Sequence, residues 1–382
     1  SSSAKSSVRP SPGLPKSDCE SVRAPPSNAS GVELPLIGAA YVAPVWGSSM
    51  VQAGVTLRVK RLLQATIIAV VAFAGISMYT DVSALGNRLG GFGWWAMAAA
   101  LGLALFNYCV RFLRWTLYLR GAKVRLETGL SIRIFLSGFA LSITPGKLGE
   151  LIKCYLIREF RSVPIAKTAP LVVGERVTDL TALLVLALIG VSAYGVAQNM
   201  VLLGSIVVGS ALIGLAWPVL AKGTIRMLTN PGFVRRFREP LLEFYCGLAE
   251  LVRPWPMLWA TSLAIVAWLA ECIGFALILS AFPGTEVPLG LAILIYATTT
   301  VAGALSFLPG GLLVTEATMA LLLVESSRGV DEPTALAATI LIRLATLWFA
   351  VVIGVVALAL LRRKSSLADL AITAATNEAE SG

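Results

Sequence analysis

The hydrophobic pattern of this chain consists of long apolar stretches separated by short polar segments, most of them basic. A helix needs roughly 20 apolar residues to cross the hydrocarbon core of a bilayer. Stretches that reach this length lie at about Leu62–Thr80, Gly93–Leu119, Pro170–Tyr194, Val201–Ala221, Trp255–Ala281 and Thr334–Leu361. The pattern therefore predicts an all-α polytopic membrane protein with about six full spans.

Two further apolar segments, at about Ile132–Ile157 and Leu289–Val324, are each interrupted by a Pro-Gly pair. The first contains ALSITPGKLGE and the second ALSFLPGGLLVTE, so both share the skeleton ALSxxPGxL followed by a glutamate. Proline removes a backbone donor and glycine relaxes the restriction on φ, so we expect each copy to break a helix. The predicted break residues are Pro145, Gly146, Pro309, Gly310 and Gly311.

Paired breaks in two halves of a chain are typical of transporters built from internal repeats, with the binding site near the breaks. The alternative is that the two copies are ordinary kinks whose likeness is coincidental.

The positive-inside rule tests the topology of the chain. If the first segment dips in from the cytoplasm and returns, every strongly basic loop lies on one side of the membrane. These loops lie at 58–61, 120–125, 158–167, 222–253 and 362–364.

The second segment must then enter from the opposite side, which gives two inverted repeats with opposed re-entrant segments and both termini in the cytoplasm. Eight full spans are the alternative, because Leu289–Leu308 alone is long enough to cross. Residues 51–364 form the membrane domain, and its repeat halves are about 57–196 and 199–364. The domain is flanked by a disordered Ser-, Pro- and Ala-rich tail at 1–50 and a polar C-terminal tail at 365–382.

Composition supports a membrane protein, because 57% of the residues are hydrophobic and 14% are charged, whereas soluble domains are about half apolar and a quarter charged. The net charge of +10 fits cytoplasmic loops that face anionic lipid, and no nucleic-acid-binding motif is present. The basic stretch 222–253 also contains apolar residues and predicts an amphipathic interfacial segment.

The chain has no histidine, which excludes Ser-His and Cys-His catalytic pairs and His-ligated metal. We expect no metal, no cofactor and no enzymatic activity.

Charged residues inside the apolar stretches are candidates for function, because ionisable groups deep in a bilayer are costly. Arg111 and Arg114 lie on one helix face, and the alternative to a functional role is that they snorkel to the cytoplasmic headgroups. In the motif GERVTD, Glu175, Arg176 and Asp179 are spaced to form a structural ion pair. The functional alternative is that Arg176 contacts an anionic headgroup while a carboxylate carries a proton.

Glu271 and Arg343 lie deep in their spans without an opposite charge one helical turn away, so their partners must come from other helices or from substrate. Arg343 is the strongest candidate for binding an anion, because it lies too far from the basic residues at 362–364 to snorkel. Helices that start after the two breaks also present free N–H groups to anions. The charged residues that follow the breaks are Lys147, Glu150, Lys153 and Glu316.

Four of these elements together resemble a known family: Arg111 and Arg114 followed by Trp115, and the stretches SGFALSITPGKLGELIKCYLI, GERVTDL and FLPGGLLVTEA. In order and spacing they are similar to the flippase-like transmembrane domain of lysylphosphatidylglycerol synthases, over about Leu57–Lys364. The resemblance implies movement of lipids with polar headgroups between leaflets, in the bacterial cytoplasmic (inner) membrane. Only a short polar tail follows Lys364, so synthesis of an aminoacyl lipid is not implied.

The residues and the resemblance together favour a lipid translocase. In this hypothesis Arg111, Lys147, Arg176 and Arg343 hold a lipid phosphate, while the carboxylates complete the site and couple movement to protons. A secondary transporter of a small soluble anion could use the same repeats and arginines, and a membrane-embedded lipid-modifying transferase is the third alternative. The expected partners are membrane lipids as substrate, and either a second copy of the chain or a separate lipid-synthesising enzyme.

Overall fold

The computed structural model describes residue 86, residues 88–230 and residues 234–363, and the regular elements in this part are helical. In chain order the helices are α1 (Trp95–Gly121), α2 (Thr128–Ser137), α3 (Ile152–Arg161), α4 (Ile165–Tyr194), α5 (Gln198–Ala216), α6 (Pro218–Leu228), α7 (Arg238–Leu251), α8 (Pro254–Ser280), α9 (Leu289–Leu305), α10 (Val314–Ser326) and α11 (Glu332–Arg363). A π-helical turn at Leu344–Trp348 interrupts α11.

Five of these helices, α1, α4, α5, α8 and α11, are long and apolar enough to cross a bilayer. No strand occurs among the described residues, so the predicted all-α polytopic class is confirmed and the chain is an integral membrane protein. Three expectations lie outside the described residues, namely the span Leu62–Thr80 and the tails at 1–50 and 365–382.

Helices α1 and α8 pack against each other and run antiparallel. The Gly93 N–H, just before α1, donates to the Ala281 carbonyl, just after α8, at 3.1 Å. Beside this hydrogen bond the Phe92 and Phe282 rings lie with their centroids 4.9 Å apart. The N-terminal end of α1 and the C-terminal end of α8 therefore lie at the same end of the bundle.

The first Pro-Gly segment is a hairpin of α2 and α3. Arg161, the last residue of α3, donates through Nη2 to Oε1 of Glu127, which precedes α2, at 3.0 Å. Both ends of the hairpin therefore lie next to the C-terminal end of α1, and the Pro-Gly break lies at its tip. Each arm has 10 residues of α-helix, about half the length that a full span requires.

The second Pro-Gly segment is a hairpin of α9 and α10. Glu286, before α9, and Arg328, after α10, form an antiparallel backbone bridge, so this hairpin also starts and ends at one end of the bundle. That end is the C-terminal end of α8, opposite to the entry of the first hairpin. With 17 residues in α9, neither arm has the roughly 20 residues of a span. The hairpin geometry agrees with the prediction of two opposed re-entrant segments more closely than with eight full spans.

The tips of the two hairpins meet inside the bundle. Pro145 and Pro309 face each other in an antiparallel backbone bridge. The glycines that follow them have positive φ, +59° at Gly146 and +63° at Gly310, a region that glycine adopts without steric cost. The two copies of the skeleton, far apart in the chain, therefore form one structural unit.

Short side chains hold each tip in its non-helical conformation. In the first hairpin the Gly149 N–H donates to Thr144 Oγ1 at 2.6 Å, and the Thr144 hydroxyl donates to the Leu141 carbonyl at 2.7 Å. A Cβ atom on Gly149 would lie only 2.6 Å from that carbonyl oxygen, so this approach requires glycine. In the second hairpin a serine has the same role, because Ser306 Oγ accepts from the Leu308 N–H at 3.3 Å.

The stretch predicted as one amphipathic segment, 222–253, includes most of α6 and all of α7. Helix α7 packs along α4, where a Cβ atom on Gly247 would lie 2.9 Å from Pro170 Cγ. This stretch therefore lies at the end of the bundle where α4 begins and α1 finishes, which is also the end from which the first hairpin enters.

Candidate functional site

A cavity of about 190 Å³ lies where the two hairpin tips meet. Both hairpins contribute to its lining, together with α4, α8 and α11. The charged residues that line it are Lys147, Arg176, Asp179 and Arg343. Three of these four are basic, and the apolar lining includes Trp268 and Leu183. The cavity is therefore positively charged on one part of its wall and apolar on another.

Lys147 lies directly after the first Pro-Gly pair and has left-handed backbone angles of φ 55° and ψ 25°. Its Nζ lies 5.7 Å from the centroid of the Trp268 ring, on α8. No carboxylate in the described part of the chain lies within ion-pair distance of it. Lys147 is thus a cation in the cavity wall whose charge is not matched by a direct acidic partner.

Seven of the predicted site residues form one buried set of ion pairs, which we call the α4 network. Its members are Arg111, Arg114, Glu150, Lys153, Glu175, Arg176 and Asp179. Asp179 lies at its centre, and its carboxylate faces Arg114 at 2.7 Å, Arg176 at 3.2 Å and Arg111 at 3.9 Å. The Arg114 Nη1 also donates to Thr178 Oγ1 at 3.0 Å.

The remaining members of the α4 network link the first hairpin to α4. Lys153 Nζ donates to Glu175 Oε2 at 2.5 Å and lies 3.5 Å from Glu150 Oε2. Arg176 Nη2 donates to the same Glu150 oxygen at 3.1 Å. Glu175 therefore pairs with the hairpin, while its neighbour Arg176 pairs with both Glu150 and Asp179. Only the Arg176–Asp179 pair lies within the motif itself.

The α4 network holds more basic than acidic groups. Four basic side chains face three carboxylates, and the nearby Lys147 adds another positive charge. Buried polar atoms normally have hydrogen-bond partners, but Arg111 Nε and Nη2 and Arg176 Nε make none. Excess positive charge with unused donors is the chemistry that binds a phosphate or carboxylate.

Arg343 and Glu316 form a second, smaller cluster on the other side of the cavity. Arg343 Nε lies 2.6 Å from Glu316 Oε1, and Arg343 Nη2 donates to the Gly310 carbonyl at 2.7 Å. The arginine thus joins α11 to the break of the second hairpin. It directly precedes the π-helical turn Leu344–Trp348, and such turns occur often at functional sites.

Glu271 belongs to neither cluster. The Tyr296 hydroxyl on α9 donates to Glu271 Oε2 at 2.7 Å. Nearby, the Tyr108 hydroxyl on α1 donates to the Thr346 carbonyl in the π-helical turn at 3.1 Å. Among the described residues no lysine or arginine lies within salt-bridge distance of Glu271, although only 7% of the residue is exposed.

Exposed apolar side chains border the cavity at the second hairpin tip. Phe307 is 67% exposed and its neighbour Leu308 is also exposed, and both line the cavity. Leu313, four residues after Pro309, is 53% exposed. In a membrane-spanning bundle, such side chains present an apolar edge to lipid beside a charged interior.

Several residues of this site were not predicted from the sequence. Trp268 was not singled out because tryptophan is common in apolar spans, and Tyr296 because its partner is on another helix. One available signal was the cluster of hydroxyl residues in α9, where Thr298, Thr299 and Thr300 follow Tyr296. Thr300 lines the cavity.

Comparisons with known proteins agree with the resemblance of the motifs. The family model for the lysylphosphatidylglycerol synthase TM region matches residues 62–354. A UPF0104 membrane protein of Methanothermobacter thermautotrophicus is 25% identical over 281 residues, covering 67% of this chain and 81% of that protein. Glycosyltransferase AglD of Haloferax volcanii is 27% identical over 154 residues, covering 39% of this chain and 24% of AglD. The matched region includes both hairpins and the cavity between them, and this chain belongs to the family of the lysylphosphatidylglycerol synthase TM region.

Proposed function

We propose that this protein moves a lipid with an anionic, phosphate-containing headgroup between the leaflets of the membrane. The observation that carries the proposal is the convergence of Lys147, Arg176 and Arg343 on one cavity at the meeting point of two opposed hairpins. Basic side chains are rare inside membranes and mark the paths of charged substrates. Arg176 and Arg343 are each held by carboxylates, while Lys147 supplies unmatched charge.

The volume of the cavity is suited to a lipid headgroup and is too small for a whole lipid. A volume of about 190 Å³ holds a small polar headgroup, but acyl or isoprenoid chains must remain outside it. The exposed apolar side chains at the second tip, Phe307 and Leu308, offer these chains a surface next to the cavity. The proposed substrate is therefore an amphiphile whose headgroup enters the bundle while its tails stay in the bilayer.

The opposed hairpins also suit movement between two sides of a membrane. In transporters built from inverted repeats, the substrate site lies at the repeat interface and opens alternately to each side. Here the first hairpin enters from the end that carries the basic loops 120–125 and 158–167. By the positive-inside rule we place this end in the cytoplasm, in the bacterial inner membrane, with both termini on the same side.

One relative is named a glycosyltransferase, but we propose no enzymatic activity for the described part of this chain. The substrate lipid would then be supplied by a separate lipid-synthesising enzyme. A second copy of the chain remains the other proposed partner.

Transport of a small soluble anion is the competing function, since the same basic residues would bind a free phosphate.

The test uses proteoliposomes that contain the full chain and fluorescent phosphatidylglycerol, with labelled glycerol phosphate as the soluble anion. The decisive variant is Lys147→Asn, because asparagine tolerates the left-handed conformation of this position and replaces the ammonium group by a shorter, neutral side chain. Lys123→Asn is the matched control, since Lys123 is an exposed lysine with the same φ of 55°.

We expect lipid movement in the wild type and in Lys123→Asn, and a fall of about tenfold or more in Lys147→Asn, because a charge-assisted contact contributes roughly 1.5–3 kcal/mol. Uptake of glycerol phosphate without movement of lipid would contradict the lipid proposal and support the soluble anion. Equal rates in the two lysine variants would contradict the assignment of the cavity.

A further inference from the structure

Glu271 is the one deeply placed carboxylate of the predicted site that has no cation bound to it in the described structure. Glu150, Glu175 and Asp179 each accept from a lysine or arginine, and Glu316 lies against Arg343. Glu271 accepts only from the neutral Tyr296 hydroxyl. An ionised carboxylate buried without a paired charge costs several kcal/mol, so the ionised form of Glu271 depends on cations that lie farther away.

The carboxyl group is nevertheless close enough to the cavity to respond to charge there. Trp268, one helical turn before Glu271 on α8, lines the cavity and carries Lys147 over its ring. Electrostatic interactions reach Glu271 from Lys147 and from Arg111. A negative headgroup beside Lys147 would weaken the favourable effect of these cations on ionised Glu271 and would add direct repulsion.

The groups that face Glu271 come from every element around it. They are Tyr108 and Arg111 on α1, Lys147 on the first hairpin, Asp179 on α4, Cys272 on α8 and Tyr296 on α9. From α11, Thr346 contacts Tyr108. Of the charged groups, Arg111 and Asp179 already belong to the α4 network, whereas Lys147 lacks an acidic partner. The charge balance at Glu271 therefore depends on what occupies the cavity next to Lys147.

We propose that Glu271 takes up one proton when an anionic headgroup enters the cavity, so that protonation and anion binding promote each other. The proposal rests on the proposed function. In the step, a carboxylate oxygen of Glu271 gains a proton from hydronium, which leaves as water. When the anion departs, the O–H bond breaks and the proton returns to water. Coupling between two binding events is reciprocal, so a lower pH must strengthen binding of the anion.

The experiment measures binding of dioctanoyl phosphatidylglycerol to the detergent-solubilised full chain by titration calorimetry, in two buffers with different heats of ionisation. A phosphodiester is the right probe, because it does not titrate between about pH 5 and 8, unlike a phosphate monoester. The dependence of the binding heat on the buffer gives the number of protons taken up. The variants are Glu271→Gln, Glu271→Asp and, as the control, the exposed Glu332→Gln.

We expect net proton uptake in the wild type and Glu332→Gln, with binding that strengthens by up to about tenfold per pH unit of acidification. Glu271→Gln resembles the protonated state, so it should bind the lipid tightly at every pH. Its proton uptake should be smaller than that of the wild type, by at most one proton. Glu271→Asp should keep the pH dependence, which a purely structural role of the side chain would not explain.

The outcomes separate the inference from the proposed function. Equal proton uptake in the wild type and Glu271→Gln, with the lipid bound, would overturn the role of Glu271 and leave the anion site intact. Absence of binding to the folded wild type at every pH would overturn the proposed function and the inference together. If Glu271→Gln does not fold, Glu271→Asp provides the test. Lipid binding to Glu271→Asp that does not depend on pH would then overturn the inference.

Discussion

The two Pro-Gly hairpins share a skeleton but differ in the chemistry that follows it. After the first break come Lys147, Glu150 and Lys153, which join the α4 network or line the cavity. Over the same number of residues after the second break, only Glu316 is charged. The second tip instead exposes apolar side chains such as Leu313. The skeleton therefore determines where the backbone breaks and meets its copy, while the residues after it determine charge.

One contact is nevertheless common to both hairpins. Glu150 accepts from Arg176 on α4, the span that follows the first hairpin, and Glu316 pairs with Arg343 on α11, the span that follows the second. The repeat thus includes an ion pair between a break glutamate and the next span. The first half surrounds this pair with five more charged side chains and the second half does not, which makes the first half the more polar of the two.

The largest effect should come from removing the centre of the α4 network. Asp179→Asn leaves Arg111, Arg114 and Arg176 around a neutral amide. Losing one partner of a buried ion pair costs about 3–5 kcal/mol, so we expect a fall of roughly 5–10 °C or more in the thermal unfolding midpoint of the solubilised protein. Glu159→Gln on exposed α3 surface is the control. Midpoints that agree between the two variants would show that the network contributes little.

A smaller effect should follow from breaking the second pair. Glu316→Gln removes a single carboxylate, and Arg343 keeps its hydrogen bond to the Gly310 carbonyl. We expect a loss of about 1.5–3 kcal/mol in the free energy of unfolding, the range for one hydrogen bond to a charged group. The measurement is the same unfolding midpoint. A loss as large as that of Asp179→Asn would contradict the contrast between the halves.

The smallest expected change is a gain in stability at the second tip. Leu313 has φ 73° and ψ −52°, a strained backbone conformation for a residue with a Cβ atom. Leu313→Gly should relieve this strain and raise the free energy of unfolding by about 1 kcal/mol. Leu321→Gly is the control, because Leu321 is exposed inside α10 and glycine there destabilises a helix by about 1 kcal/mol. Destabilisation by both variants would show that the conformation at Leu313 is not strained.

Sequence patterns were sufficient for the breaks and their opposed entry, because both depend on local properties. Proline and glycine act on their own backbone, and loop charge can be counted along the chain. The same holds for Arg176 and Asp179, which lie one turn apart on one helix. The Glu-to-Arg contact shared by both halves could also have been found, since Arg343 follows Glu316 at nearly the same interval as Arg176 follows Glu150.

The remaining contacts depend on how the helices rotate and approach one another, which the sequence pattern does not specify. Within GERVTD the spacing suggested a self-contained group, but Glu175 pairs with Lys153 across to the first hairpin. The partner of Arg343 was expected from another helix or from substrate, but the sequence pattern does not identify it as Glu316, because Glu316 lies on another element. The tyrosine that contacts Glu271 was not found for the same reason.

The position of these contacts along the chain has a consequence for synthesis of the protein. Every member of the α4 network lies between Arg111 and Asp179, so its charges can neutralise one another as soon as the first half is in the membrane. The bridge from Pro145 to Pro309 requires the second half. Because chains fold from the N-terminus during translation, the costly buried charges are compensated first, and the cavity forms only after the second hairpin has been synthesised.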